Sequence, residues 1–273
     1  MANKSIATFR DLHERDGVFV IPNPWDVGTA RVLASMGFEA LATTSAGLAF
    51  SLGVPEGVLN RDQVLTHCRE LVEATELPIS ADLEKGFGDD PDTVTETIIL
   101  AAETGLAGCS IEDHTGDADD PIFDFGLTVE RIIAAVEAAR ALPHDFVLTA
   151  RAENLLHGRM DLDDTIKRLQ AFEEAGADVL YAPGLNKLED IRSVCSSVSL
   201  PVNVVMGMPG ATFGIPELKE AGVKRISIGS AFSRLAFGSL MSACREILDE
   251  GTFTFSKDAA SFTDLDAIFG KYQ

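Results

Sequence analysis

Short apolar runs of strand type recur along the whole chain, and each is followed by a longer segment whose apolar positions repeat every three or four residues. Eight runs stand out: VFVIP from Val18, ALATT from Ala40, PISAD from Pro78, GCSIED from Gly108, FVLTAR from Phe146, DVLYAP from Asp178, PVNVV from Pro201 and RISIG from Arg225. The intervening periodicity predicts helices over 61–74, 91–103, 128–141, 162–175 and 230–250, with an extra helix over 6–15 ahead of the first strand. Four returns from helix to strand, SMGFEAL, ETGLAGCSI, EAGADVLY and EAGVKRISI, carry a glycine where the helix must stop. Glycine there supplies the left-handed residue of a helix C-terminus. Strict alternation of this kind favours a parallel sheet with right-handed crossovers, and eight units predict a closed (β/α)₈ TIM barrel over a doubly wound open sheet.

The length of 273 residues suits one such barrel, and no linker divides it, so the expectation is one domain over 1–273. A tail from about 251, holding Phe253, Phe255, Phe262 and Phe269, follows the last helix. Acidic residues outnumber basic ones by 43 to 22, giving a formal charge of −21 that repels phosphate backbones and anionic lipid. Nucleic acid and membranes are therefore excluded as expected partners. An acidic substrate would be repelled too, unless the site supplies a local cation. Cys68, Cys109, Cys195 and Cys244 are far apart and form no C-x-x-C pair, which speaks against a zinc site or a disulfide framework. With no apolar leader and no apolar stretch of about 18 residues, the expected location is the cytoplasm.

In a barrel the reactive groups lie at the C-terminal ends of the strands. Here those positions hold Asn23, Trp25 and Asp26, then Thr43, Thr44, Ser45, Ala46 and Gly47, then Asp82 and Glu84, Glu112 and Asp113, Arg151, Tyr181 and Asn203. Asp82, Glu84 and Glu112 come from adjacent strands, and like charges held that close repel unless a cation lies between them. Oxygen ligands with no His or Cys beside them suit Mg²⁺ or Mn²⁺ better than zinc. A helix cap or salt bridge is the plainer role for any one of them, and a paired-carboxylate glycosidase is disfavoured because one Trp and two Tyr leave little to stack against sugars. Arg151 is either a partner of those acids or the cation that an anionic substrate needs. The run Ser45, Ala46, Gly47 reads as a turn of exposed backbone N–H groups able to hold a carboxylate. The loop GMPGATFG lacks the lysine of a P-loop.

The stretches PNPWDVGTARVLASMGFEALATTSAGLAFSLGVPE, ISADLEKGFGD, GCSIED, LTARAEN and LPVNVVMGMPG, in this order and spacing, resemble the isocitrate lyase and phosphoenolpyruvate mutase superfamily over nearly the whole chain. The resemblance implies a (β/α)₈ barrel whose C-terminal helix is swapped between subunits of a tetramer, or at least a dimer. It implies Mg²⁺ held by Asp82, Glu84 and Glu112, and catalytic work by Asp82, Glu112 and Arg151. A substrate carboxylate would lie at Thr43, Ser45, Ala46 and Gly47, with Glu56, Arg151 and Asn203 also facing the substrate. One departure bears on the reaction. The superfamily's isocitrate-type lyases carry K-[KR]-C-G-H in the loop after strand four, and this chain reads IEDHTGDADDPIFDFGL there, with neither Cys nor Lys. Cys109 reads as a core residue, and His114 as a solvent-facing one that could otherwise supply an acid. What the resemblance leaves is a Mg²⁺-dependent lyase or decarboxylase of a small 2-oxo or 2-hydroxy acid, working through an enolate, with oxaloacetate-like compounds as first substrates. A C–P bond enzyme acting on phosphonopyruvate and a silent 2-oxo acid binding protein are the alternatives.

Overall fold

The computed structural model describes residues 8–272 and shows eight parallel strands in a nearly closed barrel with helices between them. In chain order the elements are α1 (Phe9–Glu14), β1 (Phe19–Ile21), α2 (Val27–Ser35), β2 (Leu41–Ala42), α3 (Ser45–Ser51), α4 (Arg61–Ala74), β3 (Ile79–Asp82), α5 (Pro91–Ala102) and β4 (Gly108–Glu112). They continue with α6 (Phe125–Ala141), β5 (Val147–Arg151), α7 (Leu162–Glu174), β6 (Val179–Tyr181), α8 (Leu188–Ser197), β7 (Val202–Val205), α9 (Ile215–Glu220), β8 (Arg225–Ser227), α10 (Ala231–Arg245) and α11 (Phe262–Phe269). The first two residues expected in the leading helix lie outside the described residues.

Local chemistry explains the boundaries. Asn60 caps α4 by accepting a hydrogen bond from Gln63 N, and Asp90 caps α5 ahead of Pro91. The glycines of the four returns, Gly37, Gly105, Gly176 and Gly222, all have φ between +88° and +97°, as the helix-stop reading requires.

Every strand pairs with its neighbour in parallel except at the seam between β1 and β2. There Ala42 N donates to Pro22 O at 3.0 Å, and Asn23 adds three bonds. Its Nδ2 donates to Thr43 O at 2.8 Å while its Oδ1 accepts from Ile228 N and Gly229 N. One buried amide thus ties β1 to the segments that follow β2 and β8.

Apolar side chains form two clusters. The larger fills the space between strands and outer helices, with Leu41, Ile79, Ile111, Leu148 and Leu180 among its strand members. The smaller joins Phe9 and Leu12 of α1 to Phe19, Ile21, Ala40, Val147 and Val179. Helix α1 therefore plugs the barrel with apolar side chains at the end away from the strand C-termini.

Helix α10 is different. Its Leu235 and the following Leu248 are 66% and 82% exposed, and Leu240 and Met241 are also open to solvent. The tail behaves alike at Phe253 and Phe262, whereas Phe269 is partly buried and lies beside Trp25, Val32 and Phe232. No helix of the described residues is long and apolar enough to cross a membrane.

Two buried histidines should make the fold acid-sensitive. Burial lowers His13 to about 3, helped by the nearby Arg225, and lowers His67 to about 4, with His67 Nε2 finding no hydrogen-bond partner. Each binds its proton more weakly folded than unfolded, so its contribution is present above about pH 6.5 and lost as pH falls toward 4. Urea midpoints measured between pH 7 and 4 should fall with acidity, and His67→Leu should flatten that slope, by up to about 3 kcal/mol over the range. An unchanged slope would show that His67 is not buried neutral.

Candidate active site

At the C-terminal ends of the strands lies a cavity of about 450 Å³, within the roughly 300–1,000 Å³ usual for small-molecule sites. Of the residues expected at the site, Thr43, Ser45, Ala46, Glu56, Asp82, Arg151 and Asn203 line it. Gly47, Glu84 and Glu112 do not. Glu84 lines a neighbouring cleft between the starts of α4 and α5, together with Arg61, Lys85 and Thr93. Glu112 is buried beside Arg151.

Register explains how these groups meet. Asp82, Glu112 and Arg151 are the last residues of β3, β4 and β5, and Glu112 stands opposite Arg151 in the ladder. The guanidinium reaches Asp82 Oδ1 at 2.8 Å, Glu112 Oε2 at 3.1 Å and Glu153 Oε1 at 2.8 Å. Three carboxylates thus share one cation. Burial opposes the charge on Arg151, yet Glu112, Glu153 and Asp82 hold its pKa well above the ordinary value. Burial in turn pushes Glu112 well up despite Arg151, and pushes Glu84 up to about 7, with Asp82 and Glu56 adding to the effect. The rim is short of positive charge.

That shortage bears on the expected metal. Among the described residues no three His, Cys, Asp or Glu side chains converge into a preformed metal cage. The donor set nevertheless fits a hard divalent cation, because the acids are oxygen ligands whose mutual repulsion one guanidinium only partly relieves. Glu84 also has a left-handed backbone, φ 50°, in the turn closed by Glu84 N donating to Asp82 Oδ1. A non-glycine residue there marks a locally strained turn beside the rim.

The stretch expected as a turn is the first turn of α3. Thr44 caps it by accepting from Gly47 N at 3.2 Å, and Ser45 Oγ donates to Asp82 Oδ2 at 3.0 Å and to Glu56 Oε1 at 2.9 Å. Gly47 is required for packing, since a Cβ there would come within 2.5 Å of Thr44 Cγ2. Thr43 Oγ1 accepts from Asp82 N at 2.8 Å and so fixes the start of the acidic turn. The propensity of Thr, Ser and Gly for turns hid a helix start that only the capping bond reveals.

Sequence reasoning named Asp113 and Tyr181 at strand ends without placing them in the site, and it missed Glu153 and Arg225. Asp113 pairs with Arg168 at 3.1 Å and accepts from Glu153 N at 2.7 Å, so it holds the third carboxylate in place. Tyr181 and Arg225 both line the cavity. A single register row explains Arg225: Glu112, Arg151, Tyr181, Asn203 and Arg225 stand opposite one another in turn across β4 to β8. The row starts at the end of β4 and finishes at the beginning of β8, as the stagger of a tilted barrel demands. Inspection of strand ends alone cannot find its last member.

The loop after β4 is folded on itself. His114 bridges to Ile122, Thr115 N donates to Pro121 O, and Lys85 Nζ donates to Thr115 O. His114 stacks on His157 with centroids 3.8 Å apart, and burial together with His157 lowers it to about 4. It is half-buried rather than solvent-facing, and it does not line the cavity. Cys109 is fully buried, with its thiol pKa pushed up by burial, in line with a core role.

An eight-stranded barrel with acids and an arginine gathered at this end is an arrangement shared with known proteins. Residues 9–248 match the family model described as phosphoenolpyruvate phosphomutase, and the chain belongs to that family, within the isocitrate lyase and phosphoenolpyruvate mutase superfamily. A solved structure of a candidate lyase/mutase from Burkholderia cenocepacia J2315 is 58% identical, with a TM-score of 0.94 over 96% of this chain and 94% of that one. The 2-methylisocitrate lyase of Escherichia coli K12 is 34% identical over 198 residues, 68% of this chain and 65% of its own length. The structure of oxaloacetate acetylhydrolase with its product oxalate is 25% identical, with a TM-score of 0.85 over 96% of this chain and 92% of that one.

The charge arrangement is open to test without any substrate. Arg151→Met strips Asp82, Glu112 and Glu153 of their shared cation and should cost about 3–5 kcal/mol in denaturant unfolding. Millimolar Mg²⁺ should then raise the melting temperature of the variant more than that of the parent protein. A variant as stable as the parent in chelator would show that the carboxylates do not depend on Arg151.

Proposed function

We propose that this protein is a Mg²⁺- or Mn²⁺-dependent carbon–carbon lyase or decarboxylase of a small 2-oxo or 2-hydroxy carboxylic acid. The observation that carries the reading is the cluster of three carboxyl groups around Arg151 at the mouth of a cavity whose other charged lining residues are Glu56 and Arg225. Asp82 would hold the cation most directly, and Glu84 and Glu112 would ligate it or orient its waters. Bound there, it supplies Lewis acidity toward the substrate carboxylate and the C2 oxygen.

The chain's own groups account for the rest. Arg151 neutralises substrate oxygens, since its guanidinium is held rigidly by Glu153 behind the cavity wall. Thr43, Ser45 and Ala46 form the wall where the substrate carboxylate would lie, with Gly47 packed behind them in the first turn of α3. Glu56 fixes the Ser45 hydroxyl, and Asn203 presents an amide from β7. Loss of a carboxylate or a carbonyl fragment from C3 leaves a pyruvate-type enolate, and the relatives named 2-methylisocitrate lyase and oxaloacetate acetylhydrolase support C–C bond cleavage. The acidic loop holding Asp117, Asp119 and Asp120 disfavours a phosphonate substrate, which carries more negative charge than a carboxylate.

A panel of oxaloacetate, 4-substituted 2-oxo acids, isocitrate and phosphonopyruvate, assayed with Mg²⁺ or Mn²⁺, tests the reading. Pyruvate should form from oxaloacetate or a 4-substituted 2-oxo acid, chelation should abolish it, and isocitrate should give negligible glyoxylate. Arg151→Ala should slow turnover at least about a hundredfold, the scale of one strong transition-state contact. Rapid glyoxylate release, or phosphate from phosphonopyruvate alone, would overturn the assignment, and thermal stabilisation by a 2-oxo acid without product would mark a silent binder.

The exposed apolar side of α10 supports assembly as well. We infer that Leu235, Leu240, Met241 and Leu248 are covered by a second copy of the chain, in a dimer or tetramer with exchanged C-terminal helices. Light scattering at micromolar concentration should show at least a dimer. A monomer would contradict it.

A further inference from the structure

The cavity at the strand ends has two unlike sides. Thr43, Ser45 and Asp82 reach it where β2 and β3 end, whereas the loops that follow β5, β6 and β7, from another part of the ring, bring Leu155, Leu156, Met160, Leu185, Met208 and Ala211 to it. Among the described residues, Asn186 is the one polar side chain that these three loops add to the lining. The glycine-rich stretch GMPGATFG, which holds no phosphate-binding lysine, thus contributes an apolar wall through Met208, Pro209 and Ala211.

Two of the wall's side chains are large and open: Leu156 is 48% exposed and Met160 69%. Neither sits on a loose loop. The buried Asn154 donates from Nδ2 to Asp161 O at 3.0 Å, and its own carbonyl accepts from Arg159 N at 2.8 Å, so the turn that carries both residues is tied on either side. Gly184, with φ +93°, lets the loop after β6 close on that turn, since a Cβ there would come within 3.0 Å of Leu155 Cβ and Leu156 N. Met208 is held from behind, its Sδ accepting from Arg234 of α10 at 3.2 Å. An apolar surface held in place beside a polar site favours a ligand that covers it, because little ordering remains to be done on binding.

Charge narrows what that ligand carries. The cations that line the cavity, Arg151 and Arg225, stand on β5 and β8, and the three loops add none. Arg159 pairs with Asp120 at 2.8 Å, and His157 lies 3.7 Å from Glu153. A carboxylate laid against this wall would lose water and gain no cation, whereas an alkyl chain would gain by leaving water. At about 450 Å³ the cavity has room for more than a four-carbon acid.

We propose that Leu156 and Met160 are specificity-determining residues, selecting a 2-oxo acid whose end remote from its carboxylate is an alkyl chain rather than a further carboxylate. The inference rests on the 2-oxo acid reading above and narrows it.

Calorimetry on the Mg²⁺-loaded protein at physiological salt, with pyruvate, 2-oxobutanoate, 2-oxovalerate, 2-oxohexanoate and 2-oxoglutarate as probes, reads the selection without any bond cleavage. Affinity should rise along the four monoacids by up to about fourfold per methylene, the scale of one buried CH₂. 2-Oxoglutarate matches 2-oxovalerate in carbon count and should bind about tenfold more weakly. Met160→Arg supplies the missing cation and should reverse that order. Replacing both exposed side chains, by Leu156→Ser with Met160→Ser, should flatten the rise while the melting temperature shows that the fold survives. A flat series in the parent, or 2-oxoglutarate bound as tightly as 2-oxovalerate, would overturn the selection while leaving the 2-oxo acid reading intact. A rise that persists in the double variant would overturn the role of these two side chains, and a smaller assembly by light scattering would then give them to a subunit contact. If none of the five acids binds, the 2-oxo acid reading fails and takes this one with it.

Discussion

One guanidinium shared by three carboxylates is the constraint on which the rest of this site depends. Arg151 can hold Asp82, Glu112 and Glu153 together because Glu112 at the end of β4 stands opposite Arg151 at the end of β5, while Asp82 ends β3 opposite Ser110 and Asp113 and Arg168 fix the backbone of Glu153 from behind. A buried ion cluster contributes little net stability against an apolar core of equal volume, so its retention needs another reason. Here the reason is electrostatic poise. The cluster gathers acids at the rim whose repulsion a divalent cation would relieve, while its one positive charge lines the cavity, where it would face the anionic substrate of the proposed reaction.

Much of the frame was legible in the sequence, because its signals are local. Alternating apolar runs and helix-stopping glycines depend on nearest neighbours along the chain, and all eight strands form where the runs stand. Asp82, Glu112 and Arg151 could be placed by the strand-end rule alone. The start of α3 could not, because Thr44, Ser45 and Gly47 favour turns and caps equally well until the bond from Gly47 N to Thr44 shows which is formed. Glu84 is legible as an acid beside Asp82, whereas its left-handed backbone and its place in the lining of the neighbouring cleft are not. Helix α10 has the period of a packed helix, and its periodicity alone does not show that its apolar side stays exposed; only the family resemblance points that way.

Arg225 was illegible for a geometric reason. Strand tilt in a barrel staggers neighbouring strands, so residues opposite one another in the ladder sit progressively nearer the strand starts around the ring. The row that begins with Glu112 reaches Arg225 at the first residue of β8, and Arg225 in turn stands opposite Phe19 at the first residue of β1. The sequence rule that sends attention to strand ends discards such a residue, although it lines the same cavity as the residues the rule retains.

The row also answers the problem posed by a formal charge of −21. Surface carboxylates farther than a Debye length of about 8 Å at physiological salt act weakly on an anion at the cavity mouth, because mobile ions screen them. Groups lining the cavity are screened much less, and two of them in this row, Arg151 and Arg225, are positive. A carboxylate entering in the proposed reaction would therefore meet the acidic rim first and find Arg151 and then Arg225 deeper in. A divalent cation at the rim would reverse the sign of that first barrier. Substrate entry and cation binding would then be favourably coupled, each raising the affinity for the other by the same factor, because linkage between two sites is reciprocal.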